Sequence, residues 1–250
     1  KYVNSPESII YSKSRELYGL YQARQAINRK NKCILVEGYM DVISMHQAGV
    51  ENVVASSGTS LTEEQITLIH RFTPNVTVIY DSDAAGIKAS LRGIDMLLAQ
   101  GLDIKVLLLP DGDDPDSFAQ SHSSEEVERY IEEHETDFIK FKSDILLRDA
   151  ENDPVKRSRA ISDIIHSISV IPNPITRSVY VEECSRRFGI AEKVLNTELS
   201  RHMANNSEEE WKKRQRESEM KRLEELRASE RQTPTVVATL PSQPADEAKT

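Results

Sequence analysis

Carboxylate side chains follow three short apolar runs in the first half of this 250-residue sequence. Runs of this kind, rich in β-branched residues and without polar alternation, are typical of strands that are buried on both faces of a parallel sheet. Ligands of such sheets bind beyond the carboxyl ends of the strands, so the acids stand where a binding site would form. They are Glu37 after the run 33–36, Asp81 and Asp83 after 76–80, and Asp111, Asp113, Asp114 and Asp116 after 104–109.

The charge of this region indicates what the acids could bind. Residues 33–116 hold 13 Asp and Glu against 4 Lys and Arg, so their net charge of −9 equals that of the whole chain. Converging carboxylates repel one another and are costly to desolvate unless they are protonated or neutralised by cations. Carboxylate oxygens, together with a phosphate substrate, suit Mg²⁺ or Mn²⁺. The pattern therefore predicts a divalent metal site.

Three segments of the sequence resemble the Toprim motifs of bacterial replicative DNA primases, the DnaG family. A Glu followed by Asp-x-Asp marks the wider Toprim superfamily, which includes topoisomerases. The first and third segments, at this spacing, are specific to bacterial primases. The segments are EGYMDV at 37–42, DSDAAG at 81–86 and LPDGDDPD at 109–116.

The resemblance continues upstream of the first motif. Segments 1–7 and 13–20 are similar to the part of the family's sequence that enters the Toprim domain. The likeness is strong over about residues 1–145 and looser over 146–203. Because it is already under way at Lys1, we expect the chain to be a fragment of a longer enzyme.

The resemblance implies a catalytic metal site. Two or more Mg²⁺ or Mn²⁺ ions would be held there, with Glu37 acting either as a ligand or as a general base. The third segment contains two further acids, Asp111 and Asp113, that could equally be turn formers. The implied catalytic residues are Glu37, Asp81 and Asp83, the implied metal ligands are these three with Asp114 and Asp116, and the supporting residues are Asp41, Gly38 and Gly86.

Other residues of the same segments have two interpretations. Lys1, Asn4 and Lys13 match family residues that contact the nucleotide or the template, although isolated lysines are also commonly just solvated. Tyr39 and Tyr80 adjoin the acids, and we interpret them as packing residues rather than as a nucleophile of the topoisomerase type.

The resemblance also implies an activity and partners. The family synthesises short RNA primers from NTPs on single-stranded DNA by metal-dependent nucleotidyl transfer, so we expect this activity of the full-length protein and little of the fragment. A zinc-binding module and a C-terminal domain that binds the replicative helicase are expected outside this chain, and zinc only there. The fragment itself is expected to be monomeric, cytoplasmic and without contact to a membrane.

Three other functions compete with primer synthesis. A topoisomerase or nuclease subunit of the Toprim type would need a nucleophilic tyrosine domain or nuclease parts, which the sequence does not show. A phosphatase of the haloacid dehalogenase type would carry Thr or Val after the second Asp, where Ala84 and Ala85 stand. A non-catalytic interaction module would use the helices predicted over 124–231 to bind helicase.

Bulk properties narrow the class of protein. With 38% hydrophobic and 29% charged residues, one compact domain with an appendage is expected. No apolar run approaches the roughly 20 residues that span a bilayer. Cys33 and Cys184 form neither a disulfide framework nor a zinc site, and we interpret both as packing residues. An acidic chain binds DNA poorly alone, because neutralised phosphates supply most of that affinity.

The expected architecture is α/β: a Toprim domain with a parallel, Rossmann-like sheet, followed by an all-α helical subdomain. The pattern Thr62–Gln65 is typical of a capping box, and Pro115 is expected to stiffen a loop. The predicted strands are 33–36, 53–55, 76–80 and 104–109, and the predicted helices are 14–29, 40–48, 63–72, 85–100, 124–148, 154–169, 174–188, 190–203 and 207–231. The predicted divisions are 1–30 (the end of a preceding subdomain), 31–135 (Toprim), 136–203 (helical) and 204–250 (charged helix, then disordered linker from 232).

Overall fold

The structure, a computed structural model, describes residues 8, 12–56, 61–80, 84–110, 112–148, 150 and 153–232. The chain divides into two compact units, Lys1–Met203 and Ala204–Thr250. Several sequence predictions concern residues outside the described ones. These residues are Lys1, Asn4, Asp81, Asp83, Asp111 and the segment 233–250.

A five-stranded sheet forms the centre of the first unit. Its strands are β1 (Cys33–Val36), β2 (Val53–Ala55), β3 (Asn75–Tyr80), β4 (Asp103–Leu108) and β5 (Thr136–Asp137). Their order in the sheet is β2-β1-β3-β4-β5, in which the first four are parallel and β5 is antiparallel to β4. The four parallel strands confirm the apolar runs of the sequence, and β5 makes the sheet mixed.

Helices cover both faces of this sheet. They are α1 (Leu20–Lys30), α2 (Tyr39–Gln47), α3 (Glu63–His70), α4 (Ala84–Ala99), α5 (Pro115–Ser121), α6 (Ser124–His134), α7 (Phe138–Arg148), α8 (Pro154–Ser169), α9 (Pro174–Phe188) and α10 (Glu192–Gln232). One face carries α1, α3, α4, α7, α8, α9 and the beginning of α10, and the other carries α2, α5 and α6. Successive side chains of β1 enter the two apolar clusters in turn, so this strand is buried on both sides.

Helix α1 begins at Leu20, whereas the sequence predicts a helix from residue 14. Tyr18 pairs with Ala55 through two backbone hydrogen bonds of 2.9 and 3.1 Å, so the chain before α1 runs along the edge of β2. Gly19 then turns with a φ of 81°, and a Cβ at this residue would lie 2.8 Å from Cγ1 of Val42. Only glycine fits this junction without strain.

Two predictions beyond β4 need correction. Residues 115–121 form α5 rather than a stiffened loop, because Asp114 caps the helix and Pro115 takes its first position, where no backbone N–H is needed. The single helix predicted over 124–148 is divided into α6 and α7, because β5 leaves the helical path to pair with β4.

The helices predicted over 190–203 and 207–231 are one continuous helix, α10. Alternating charge, which predicts a solvated helix, agrees with the exposed side chains of Trp211, Met220 and Leu223 in the second unit. No helix in the described part of the chain is both long and apolar enough to cross a membrane.

Candidate functional site

The carboxyl ends of β1 and β3 lie side by side. The two strands are parallel and pair Leu35 with Val78, so Val36 and Tyr80 end at the same edge of the sheet. Glu37 follows Val36 directly, and its side chain is exposed at this edge. Asp81 and Asp83 follow Tyr80 in sequence but lie outside the described residues.

The first turn of α2 is closed by its own acid. The backbone N–H of Gly38 donates a hydrogen bond of 2.8 Å to Oδ2 of Asp41, the third helical residue. A Cβ on Gly38 would lie 3.0 Å from that oxygen, so a larger residue would push the carboxylate away. A carboxylate at this end of the helix also interacts favourably with the helix dipole. These contacts let Asp41 and Gly38 fix the start of α2 next to Glu37.

Asp114 caps α5. Its Oδ1 accepts a hydrogen bond of 2.7 Å from the backbone N–H of Ser117, and its own backbone N–H donates a hydrogen bond of 3.0 Å to Oγ of Ser117. The hydrogen bond from the Ser117 backbone lowers the pKa of Asp114 below its ordinary value. The carboxylate is therefore charged at neutral pH and is held in one orientation.

Asp116 connects α5 to α2. Its Oδ1 accepts hydrogen bonds from the hydroxyl of Ser44 and, at 2.6 Å, from Nε2 of Gln120. Ser44 lies three residues after Asp41 on α2, which places the two residues on one face of that helix. The third acidic segment is thus tied to the helix that begins beside Glu37.

These contacts tie Asp116 to the middle of α2, the helix that follows Glu37 and holds Asp41 in its first turn, but do not by themselves form a metal site. Over the residues that the structure describes, which exclude Asp81 and Asp83, no group of three His, Cys, Asp or Glu side chains could hold a metal ion. The donor chemistry nevertheless fits a hard divalent cation, since all predicted ligands are carboxylates. Gly86, the last residue of the second acidic segment, lies in the first turn of α4.

The tyrosines beside the acids and the two cysteines of the chain have packing contacts. The ring of Tyr39 meets that of Tyr18 edge-on, with centroids 4.7 Å apart, and Tyr80 is buried. Burial raises the pKa of both Cys33 and Cys184 to about 12, so each remains a neutral thiol at physiological pH. Neither has the thiolate character that nucleophiles and metal ligands require.

Gln65 of α3 makes contacts beyond the capping box that the sequence predicts. Its side chain is fully buried, and its Nε2 donates hydrogen bonds to the backbone carbonyls of Lys13 (2.9 Å) and Glu16 (2.8 Å). Lys13 itself is half-buried. The capping-box pattern predicts the local role of Gln65, but the contacts to the segment before α1 have no sequence signal.

Comparison with known proteins identifies the family. A family model described as Toprim-like matches residues 34–119, and one described as the DnaB-helicase binding domain of primase matches residues 140–192. The DNA primase of Halalkalibacterium halodurans is 39% identical over 203 residues, which are 80% of this chain and 34% of that protein.

Solved structures of primases have a fold similar to that of this chain. A DNA primase domain from Pseudomonas aeruginosa has a TM-score of 0.71 and 30% identity, over 80% of this chain and 64% of that one. A DnaG primase catalytic domain bound to single-stranded DNA has a TM-score of 0.66 and 35% identity, over 74% of this chain and 61% of that one.

The second family model bears on a sequence prediction. The sequence predicts helicase binding through a domain beyond this chain, with helices over 124–231 as the alternative, and the family model named for helicase binding matches residues 140–192, from α7 to the first residue of α10. The chain spans about a third of the length of the curated primases that it matches, 34% and 32% of the first two. The chain therefore belongs to the bacterial DNA primase family, DnaG, of which it carries the Toprim region with its α/β fold and the helices that follow.

Proposed function

We propose that this chain is the metal-binding catalytic part of a longer DNA primase, its full-length parent, which joins NTPs into short RNA primers on single-stranded DNA. The observation that carries the proposal is the register of β1 and β3. Their last residues, Val36 and Tyr80, precede Glu37 and Asp81 in the chain and end at one edge of the sheet. Strands in this arrangement offer their carboxyl ends to a ligand.

The metal ligands in this proposal are Glu37, Asp81, Asp83, Asp114 and Asp116, and the ions are Mg²⁺ or Mn²⁺. When bound, such ions activate the attacking 3′-hydroxyl and stabilise the charge that develops on the triphosphate. Hydrogen bonds within the chain fix the acidic segments that contain these residues.

Two of those hydrogen bonds act on the acidic segments directly. Asp41 closes the first turn of α2 behind Glu37, and Ser44 fixes one carboxylate oxygen of Asp116. Because these contacts form before any substrate binds, the carboxylates need little reorganisation during the reaction.

Binding of the template belongs to the parent protein in this proposal. The net charge of this chain is −9, and an acidic surface disfavours a polyanion. Lys13 is the described residue that we assign to contact with the nucleotide or the template, and Lys1 and Asn4 share this assignment. Primer synthesis takes place on the bacterial chromosome, so we assign the protein to the cytoplasm, where that template lies.

The test of the metal site is Asp81→Ala in the full-length parent. Loss of one such electrostatic group typically lowers the rate on the order of 10²–10³. The Tm without metal should stay level or rise, because removing one of several clustered carboxylates relieves repulsion. Isothermal titration should show weaker Mn²⁺ binding.

Glu209→Ala is the matched control, because it removes one negative charge from an exposed position of α10. It should leave both primer synthesis and Mn²⁺ binding unchanged. Near-normal primer synthesis by Asp81→Ala would exclude Asp81 from the active site, and a large fall of its metal-free Tm would make Asp81 a structural residue.

A second function, contact with the replicative helicase, is favoured by the family model over 140–192 and by one exposed apolar pair. Ile175 and Val179 lie one turn apart on α9, and 73% and 59% of their surfaces are exposed. Adjacent large aliphatic side chains in water are typical of an interaction face. We assign this face of α9 to the helicase.

A pull-down with the helicase of the same organism tests this assignment. The double variant Ile175→Ser and Val179→Ser should retain much less helicase than the unchanged protein. Val194→Ser, on α10 outside the matched segment and equally exposed at 59%, is the control and should retain it fully. Equal retention by both variants would contradict a contact through α9.

A further inference from the structure

Gln65 uses its whole side-chain amide in contacts that reach outside its own helix. Its Oε1 accepts a hydrogen bond of 3.1 Å from the backbone N–H of Thr62, which caps α3. Its two N–H groups serve the carbonyls of Lys13 and Glu16 at 2.9 and 2.8 Å. A capping box needs only the first contact. The other two fix a segment that lies about fifty residues earlier in the chain.

Thr62 adds a third tie to the same segment. Its hydroxyl donates a hydrogen bond of 2.6 Å to the carbonyl of Ser14 and also accepts the backbone N–H of Gln65 at 3.2 Å. Residues 13–17 belong to no helix or strand, and the start of α3 supplies bonds to three of their carbonyl groups. The path of this segment therefore depends on α3 as well as on its own sequence.

The anchored segment leads to the carboxyl end of β2, the end of the parallel strands at which the acids follow. It continues into Tyr18, which pairs with Ala55 at the carboxyl end of β2. Strand β2 is the direct neighbour of β1, after which Glu37 follows. The backbone of Lys13 is thus held on the same side of the fold as the proposed metal site.

We propose that Gln65 is a positioning residue for Lys13: its buried amide fixes the main chain from which the Lys13 ammonium meets the phosphates of a nucleotide or of the template. This inference rests on the proposed function, in which Lys13 makes that contact. Without the amide, the carbonyl groups of Lys13 and Glu16 lose their partly buried hydrogen bonds, and the segment moves to bond water instead. A displacement of about 1 Å at a positioning group can lower a rate by about 100-fold.

The variant Gln65→Met, made in the full-length parent, keeps the length of the side chain and removes its hydrogen bonds. Asn52→Leu is the matched control. It removes another buried amide, whose Nδ2 donates to the carbonyl of Lys32 at 2.8 Å. Asn52 directly precedes β2, so it lies at the amino end of this strand, whereas Tyr18 pairs at the carboxyl end. Should Gln65→Met fail to fold, Gln65→Asn, which keeps the amide but shortens its reach, takes its place with the same expectations.

The first measurement is structural and needs no activity. Limited digestion with trypsin should cleave after Lys13 and Arg15 at least about ten times faster in Gln65→Met than in the unchanged protein or in Asn52→Leu, because local opening controls such cleavage. An unchanged cleavage rate at these two sites would overturn the anchoring role.

The second measurement is a double-mutant cycle on kcat/KM for NTP. Gln65→Met should lower kcat/KM by about 10- to 100-fold when Lys13 is present, and should not lower it further when Lys13 is already Ala. Any effect of Asn52→Leu on kcat/KM should be the same factor in both backgrounds. Independent, multiplicative losses for Gln65→Met and Lys13→Ala would overturn the inference. So would normal synthesis by Lys13→Ala, although the metal site, which Asp81→Ala tests separately, would then still stand.

Discussion

The hydroxyl of Ser44 donates a hydrogen bond to Oδ1 of Asp116, across 72 residues of sequence. Ser44 is buried in the middle of α2, and Asp116 lies in the first turn of α5. The bond joins the helix that follows the first acidic segment to the helix that contains the third. Two of the three acidic segments therefore keep a fixed spacing through protein contacts alone.

Ser44→Ala should lower the free energy of unfolding by about 1–2 kcal/mol, because a hydrogen bond to a charged group is lost at a half-buried place. Denaturant unfolding measures this change. Ser121→Ala at the end of α5 is the control, since its exposed hydroxyl bonds to Ser117 and Phe118 of the same helix and to the adjacent His122, and so does not join α5 to α2. Equal losses in the two variants would mean that the tie between α2 and α5 adds nothing to stability.

Asp114 has two proposed tasks, and two substitutions separate them. Asn caps helices about as well as Asp, so Asp114→Asn should unfold with nearly the same free energy but bind Mn²⁺ more weakly. Asp114→Ala should show the same loss of Mn²⁺ affinity and in addition lose about 1 kcal/mol of stability. Full Mn²⁺ affinity in both variants, measured by titration, would leave Asp114 with capping alone.

The lowered pKa of Asp114 also predicts a pH dependence. A carboxyl group whose pKa is lower in the folded state stabilises the fold above its ordinary pKa of about 4 and loses this contribution as the pH falls through the lowered value. The difference in stability between the unchanged protein and Asp114→Ala should therefore shrink at acid pH. A constant difference between pH 7 and pH 2 would contradict the role of the charge.

Glu135, directly before β5, connects side chains from β3, β4 and the residue that precedes β1. Its buried carboxylate accepts hydrogen bonds from Lys32 (2.9 Å), Lys105 (2.6 Å) and Thr77 (2.9 Å). Burial favours the neutral acid, but the bonds from Lys105, Lys32 and Thr77 outweigh it, so the pKa of Glu135 lies below its ordinary value.

Glu135→Gln should lower the free energy of unfolding by about 2 kcal/mol at pH 7, because Lys32 and Lys105 then lose the buried negative charge that compensates theirs. The loss should shrink as the pH falls through the lowered pKa of Glu135, because Glu135 itself then becomes protonated. Glu128→Gln is the control, because the ion pair of Glu128 with Lys30 is exposed and should contribute less than about 1 kcal/mol. Denaturant unfolding of both variants at pH 7 and at pH 3 measures these losses. A loss in Glu135→Gln that is the same at both pH values would contradict the prediction.

The strands that position the site could be predicted because burial on both faces leaves an unbroken apolar run. Cys33–Val36 and Val53–Ala55 have the predicted bounds, and the bounds of β3 and β4 differ from the prediction by one residue. The two residues of β5 are too few for any periodicity, and their place depends on pairing with β4. Asp114 caps a helix within the segment that the sequence predicts to bind metal, so the helix start was not recognised there.

The residues around the site were less predictable. Thr62 and Gln65 form the capping box that the sequence predicts, since its contacts lie within one turn. The amide of Gln65 also reaches the carbonyls of Glu16 and Lys13, 49 and 52 residues away. Only the fold brings these groups together. Asp81 and Asp83 lie outside the described residues, so their assignment still rests on the resemblance.

A buried polar chain connects the sheet's helices to the helical layer, and it predicts non-additive stability. Nζ of Lys142 on α7 donates to Oγ of Ser167 on α8 (2.7 Å), which in turn donates to Asp95 on α4. Ser167→Ala should cost about 2–3 kcal/mol, because it leaves the buried charge of Lys142 with the carbonyl of Asp163 alone among these partners. In a protein that already carries Lys142→Met, the same substitution should cost at least about 1 kcal/mol less, since no buried charge then loses a partner. Unfolding of the four proteins of this cycle in denaturant measures the coupling, and strictly additive losses would show that the three side chains do not act as one network.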